Sequence, residues 1–147
     1  MRAVVFDIDH TIFDANRALH EGVADLLGIL HGLGFEIGAL TNNDHRMLVH
    51  LDEAGIRNYF SQVLCSDHTE QPKSVESVHR LVRQLGASLD ETALVSHAHS
   101  DILLGKEVGF GRTVGVSHGY QKSLPLEEAG ADHIVGDIPS VLDVLHW

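Results

Sequence analysis

The chain is poor in the residues that would cross-link, segment or anchor it. One cysteine, Cys65, stands among 147 residues, which excludes an internal disulfide. Three prolines, Pro72, Pro125 and Pro139, make no proline-rich linker. No apolar stretch approaches the roughly 20 residues of a membrane-spanning helix. Positive charge is scarce. Ten Lys and Arg stand against 21 Asp and Glu, a formal net charge of −11. That balance argues against broad binding to nucleic acid or to an anionic membrane surface. A small anionic substrate would then need local cations, either a metal or a well-placed lysine. Met1-Arg2-Ala3 enters a strand pattern at once, which leaves no room for a signal peptide and predicts a cytoplasmic setting.

What is present is a strict alternation of strand and helix. The apolar fraction is 44%, and the length suits one domain over residues 1–147. Short apolar runs predict strands at Ala3–Phe6, Glu36–Leu40, Gln62–Cys65, Ala93–Val95, Thr113–Val116 and His133–Val135. Helical spacing predicts helices at Leu19–Leu33, Arg46–Ala54, Ser74–Leu85, Asp101–Val108 and Pro139–Leu145, four of them stopped by glycines 34, 55, 86 and 109. Residues 117–125 read as the longest irregular stretch. The expected fold is an α/β, doubly wound, Rossmann-like parallel sheet of about six strands with helices on both faces.

In such a sheet ligands bind at the carboxyl ends of the strands, and the chemically useful residues fall there. Asp7 and Asp9 follow the first strand, on one side of it. Two carboxylates that close repel, so either one holds a proton or a cation sits between them. Thr41, Asn42 and Asn43 follow the second strand. Ser66 and Asp67 follow the third, with Lys73 soon after. His97, His99 and Asp101 follow the fourth. Twelve histidines are present, and none forms the HExxH pair of a zinc protease. Apart from His10, His97 and His99 they read as ordinary helix or loop residues.

In order along the chain, these residues resemble the haloacid dehalogenase-like hydrolase superfamily, whose members are mostly phosphatases. The matching motifs are Asp7-Ile8-Asp9-His10-Thr11, the strand Ile37–Leu40 ending in Thr41, Lys73 at a helix start, and the strand before Ser96 with Asp101 beyond it. Glu128–Val135 is similar to the last strand of phosphoglycolate phosphatase-like members. The resemblance implies a phosphomonoester hydrolase. Asp7 is then the nucleophile that forms an aspartyl-phosphate, and Asp9 the general acid and base. Thr41, Lys73 and the backbone near Ile8 and Asn42 would bind phosphate. Mg²⁺ would be held by Asp7, Asp9, Asp101 and His97. Taken singly, Thr41 and Asp101 also suit helix caps, and Lys73 a solvated helix residue.

The chain departs from the pattern in two places. Ser96 and His97 stand where the family usually has Gly-Asp. Three readings follow. Asp101 takes over the Mg²⁺; or His97 selects Mn²⁺, Co²⁺, Ni²⁺ or Zn²⁺, which suit imidazole; or metal chemistry is lost, leaving a protein that binds a phosphorylated ligand or a protein partner. Second, no cap domain fits beside the site. Capless relatives act on large substrates or are covered by another subunit. The expected partners are therefore a small phosphorylated substrate or a phosphoprotein, with a homo-oligomer covering the open site. Arg17 should project over that site.

Overall fold

The computed structural model describes residues 2–119 and 123–145. Six parallel strands form one sheet: β1 (Ala3–Asp7), β2 (Glu36–Leu40), β3 (Gln62–Leu64), β4 (Thr92–Ser96), β5 (Arg112–Val116) and β6 (His133–Val135). Their spatial order is β3-β2-β1-β4-β5-β6. The chain runs outward one way from β1 and then returns to run the other way from β4. This reversal opens a crevice at the carboxyl ends of β1 and β4. The register sets its two rims level, because Phe6 pairs with Val95 and Asp7 with Leu40.

Alternation along β1 divides the core between two faces. Val4 and Phe6 meet Val23, Leu26, Leu27 and Leu30 of α1 (Val23–Gly32) and Met47 and Leu51 of α2 (Arg46–Glu53). Ala3 and Val5 belong to the opposite layer, with Val78, Leu81 and Val82 of α3 (Val75–Gln84) and Val108 of α4 (His99–Val108). A smaller cluster joins Ile102 of α4 to Leu126 of α5 (Ser123–Glu128). The sheet is thus covered on both sides, as its uninterrupted apolar strands require.

Two elements differ from expectation. The first helix begins at Val23 rather than Leu19. Leu19 instead forms an antiparallel bridge with Phe13, and Gly22 turns the chain at φ 87°. The loop between β1 and α1 therefore folds on itself. The Asp14 carboxylate accepts the N–H groups of Asn16 (2.8 Å) and Ala18 (3.1 Å) and pins the turn. Second, α5 occupies part of the stretch read as irregular. Residues 120–122 of that stretch lie outside the described part. The C-terminal segment Pro139–Val144 is a 3₁₀ helix.

The layers leave no slack where α4 crosses the sheet. A Cβ on Gly105 would lie 2.7 Å from Leu94 Cδ2 and 3.0 Å from Thr113 Cγ2, both on buried strand residues. Gly105→Ala should therefore cost about 1–3 kcal/mol through overpacking. Gly32→Ala meets nothing within 4 Å and should be neutral or stabilising by about 0.4–1 kcal/mol. Urea unfolding of both variants tests the difference.

Candidate active site

Asp7 ends β1 with 1% of its surface exposed. Burial alone would push its carboxyl pKa upward. A hydrogen bond with His97 and the charge of Lys73 outweigh that effect and hold it below the ordinary value. Oδ1 accepts from Lys73 Nζ at 2.8 Å. Oδ2 accepts from Thr11 Oγ1 at 2.9 Å and lies 3.2 Å from His97 Nδ1. An ionised carboxylate only accepts, so Nδ1 carries the proton in this contact, an assignment made from the network. The same ring nitrogen lies 3.0 Å from Thr11 Oγ1, which also accepts the backbone N–H of His97 at 2.9 Å.

Lys73 reaches this point because it immediately precedes α3. The α3 N-cap, Ser74, accepts the N–H of Ser77 through its hydroxyl. The ammonium bridges Asp7 Oδ1 and Asp101 Oδ2, the latter at 2.9 Å. Burial lowers the Lys73 pKa, but the two carboxylates more than compensate and raise it. Asp101, in the first turn of α4, is 3% exposed. It also accepts from Ser96 Oγ at 2.7 Å, and Ser96 Oγ accepts the N–H of Ala98.

Asp9 stands two residues beyond Asp7 and is partly exposed. Its Oδ2 accepts from Thr41 Oγ1 at 2.7 Å and its Oδ1 from Asn43 Nδ2 at 2.8 Å. Thr41 is fully buried at the end of β2 and accepts the N–H of Asn43. The ends of β1, β2 and β4 and the start of α3 thus converge on two carboxylates. One is buried among donors, and the other is presented to solvent.

Of the residues singled out in the sequence, Asp7, Asp9, Thr41, Lys73, His97 and Asp101 come together through these contacts. Asn42 is exposed beside Thr41. Ile8 does not serve as expected. Its N–H donates to Leu40 O at 3.1 Å and extends the sheet ladder, and its side chain is fully buried. It therefore offers a phosphate no donor. Arg17 is exposed but lines a hollow of about 220 Å³ together with Asp9 and His10. Thr11, Asn43 and Ser96 were not assigned roles from sequence. Thr11 shares the first motif, and Ser96 is the last residue of a predicted strand, so position alone could have flagged both.

A cavity of about 310 Å³ lies on the far side of His97 from the β1 end and is lined by His10, His20, His97, His118, Ser117 and Asp14, among others. His10 adopts φ 64°, a left-handed conformation uncommon outside glycine. Its ring meets that of His97 edge-on, with centroids 5.5 Å apart. The rings of His20 and His118 stack at 3.6 Å and 10°, and His118 Nε2 is buried without a hydrogen-bond partner.

The donors fit poorly to a divalent cation shared by Asp7, His97 and Asp101. Mg²⁺ needs several free oxygens in octahedral array. Asp7 Oδ2 already faces two donors, Thr11 Oγ1 and His97 Nδ1, and the Lys73 ammonium sits between Asp7 Oδ1 and Asp101 Oδ2, so a cation there would lie against a fixed positive charge. The nitrogen of His97 nearest Asp7 is protonated and has no lone pair to give. Among the described residues, no group of three or more His, Cys, Asp and Glu is arranged to hold a metal.

The fold and the site together define a doubly wound α/β protein with a lysine-held aspartate at its switch point. The chain belongs to the haloacid dehalogenase-like hydrolase family, whose model matches residues 13–109. A phosphoglycolate phosphatase of Pseudomonas fluorescens is 28% identical over 167 residues, covering 97% of this chain and 61% of that protein. Pyrophosphatase PpaX of Anoxybacillus flavithermus is 32% identical over 111 residues, covering 74% of this chain and 51% of the relative. The chain therefore spans between half and two thirds of the length of these relatives. A solved structure of a protein described as a putative beta-phosphoglucomutase from Thermotoga maritima superposes with TM-score 0.88 at 16% identity. It is covered to 98%, with 99% of this chain aligned, and it bears out the fold.

The stacked pair carries a pH signature. Burial, reinforced by the neighbouring His20, pushes the His118 pKa down to about 4, while carbonyls of His10 and Thr11 partly oppose the shift. Burial also lowers the His20 pKa. The unfolded chain takes up the His118 proton near pH 6.5, so from there down to about pH 4 it binds more protons than the folded chain. Stability therefore falls across that window and this contribution levels off below it. His118→Gln should flatten the slope of Tm against pH between 6.5 and 4, as read by thermal denaturation in a pH series.

Proposed function

We propose that this chain is a phosphomonoester hydrolase working through an aspartyl-phosphate on Asp7. The observation that carries the reading is the buried Asp7 carboxylate, held ionised by His97 and Lys73, with the more exposed Asp9 two residues on. Family membership supports it. An ionised oxygen of Asp7 attacks phosphorus, and the bond to the leaving oxygen breaks. Asp9 delivers the proton that the leaving oxygen needs. It then takes a proton from water as that water attacks the phosphorus of the aspartyl-phosphate, releasing phosphate and restoring Asp7. Lys73 supplies fixed positive charge beside the transferring group. Thr41 orients Asp9 through its hydroxyl and Asn43 through its amide, and the exposed Asn42 between them is the phosphate contact we propose at the end of β2.

Members of this family generally use Mg²⁺, which supplies charge neutralisation at the phosphoryl oxygens. No second sheet lies between β1 and α1 or between β2 and α3 among the described residues. The substrate we propose is accordingly a phosphorylated small molecule or a phosphoprotein that reaches an uncovered site.

Hydrolysis of p-nitrophenyl phosphate tests the assignment. Asp7→Asn should abolish turnover. Asp9→Asn should lower kcat by about 10²–10⁴-fold on an alkyl phosphate, the usual contribution of a general acid. The loss on p-nitrophenyl phosphate should be smaller, because p-nitrophenolate leaves without a proton. Folded protein that binds phosphate analogues but turns over neither substrate would replace the hydrolase reading with that of a phosphoryl-ligand binding protein.

A further inference from the structure

We infer that the imidazole of His97 stands in, at Asp7, for the divalent cation that members of this family generally use. The inference rests on the hydrolase reading of the same site, but it concerns what Asp7 binds and is separately testable. Each of the two residues that replace the family's usual Gly-Asp does one part of the work. His97 Nδ1 lies 3.2 Å from Asp7 Oδ2 and Ser96 Oγ donates to Asp101 Oδ2 at 2.7 Å. One residue thus occupies the nucleophile's second oxygen, and the other occupies an oxygen of the remaining acid.

With Asp7 ionised, the contacts are satisfied by one arrangement of donors assigned from the network. Thr11 has one hydroxyl proton and gives it to Asp7 Oδ2. Its oxygen must therefore accept from the backbone N–H of His97 and from the His97 ring. The ring proton on Nδ1 is forked between Thr11 Oγ1 and Asp7 Oδ2, so that nitrogen cannot ligate a metal that also touches Asp7. Ser96 has one proton as well, and the 2.7 Å contact to Asp101 takes it in preference to the 3.4 Å contact to Asp7. Lys73 supplies the third donor at Asp7 and the second at Asp101. A cation entering beside Asp7 would have to displace the ring or sit against an ammonium.

The ring is held in place by the protein rather than by a ligand. Its own backbone N–H is anchored on Thr11, and His10 packs against its face edge-on. His97 acts through the carboxylate of Asp7 and is a positioning residue on this account. It fixes the direction of the nucleophile and supplies a hydrogen bond where the cation would supply charge. A single hydrogen bond offsets less charge than a divalent ion, so turnover should be slow as well as independent of metal.

The experiment compares metal-stripped wild type, His97→Asp and Asp7→Asn in two readouts: Mn²⁺ binding by electron paramagnetic resonance, and p-nitrophenyl phosphate turnover with EDTA or with Mg²⁺. Wild type should bind Mn²⁺ no better than Asp7→Asn does, and its turnover should be the same in EDTA as in Mg²⁺. His97→Asp should bind Mn²⁺ at least about tenfold more tightly than wild type and should turn over only with metal. Mn²⁺ binding by wild type that Asp7→Asn abolishes, or turnover that EDTA abolishes and Mg²⁺ restores, would overturn the inference and leave the hydrolase reading intact. If neither protein turns over under any condition, the hydrolase reading fails and the Mn²⁺ comparison still decides the inference. Should His97→Asp not fold, wild type against Asp7→Asn decides it alone.

Discussion

A carboxylate with 1% of its surface exposed keeps its charge only if donors replace the water it has lost. Asp7 is such a carboxylate, and much of the surrounding structure answers that requirement. Its donors come from three places far apart in sequence: Thr11 in the loop after β1, Lys73 before α3, and His97 after β4. Thr11 reaches it locally, but His97 would not unless β1 and β4 were neighbours in register, nor Lys73 unless α3 lay on the face that it covers. The parallel order that buries Val4, Val5 and Phe6 is therefore also the order that ionises Asp7.

The dependence runs both ways. Thr11, His97 and Lys73 tie the loop after β1 to the loops before α3 and α4 across the crevice where the strand order reverses. Ile8, Ile12 and Phe13 seat the loop after β1 in the core, and these polar contacts join it to the other two rims. Removing one partner there leaves a buried charge without its donor, which costs more than the bond itself was worth. The site and the fold's switch point share one network, and a substitution chosen to probe chemistry will report on stability too.

Most of the strands, and the helices that cover them, were legible in the sequence because the apolar runs and helical stripes coincide with the burial that the sheet demands. Glycines after the helices marked their ends, as Gly109 at φ 100° does for α4. The Leu19 boundary failed for a local reason. Leu19 fits the helical stripe, but pairing with Phe13 and the turn at Gly22 claim it for the loop. Ile8 failed because spacing shows that a residue follows the nucleophile, and cannot show that its N–H is already spent on Leu40. Asp7, Asp9, Thr41, Lys73 and Asp101 were legible because each follows a strand. The hydrogen bonds from Thr11 and Ser96 depend on side-chain direction across the crevice, which no single stretch of sequence encodes.

The histidines beside the nucleophile follow from the same accounting. The pocket they line lies beside His97, which touches Asp7, and a positive charge fixed in its wall would compete with Lys73 for Asp7. Burial keeps His118 neutral down to about pH 4, so that ring adds no such charge. Stacked on His20, it backs the loop whose left-handed residue, His10, turns the chain between Asp9 and Thr11. That loop has to present Asp9 outward and Thr11 inward within two residues. The imidazole wall thus fits two demands at once, filling space beside a charged centre and supporting a strained turn. This explains a cluster of four histidines without requiring any of them to bind a metal.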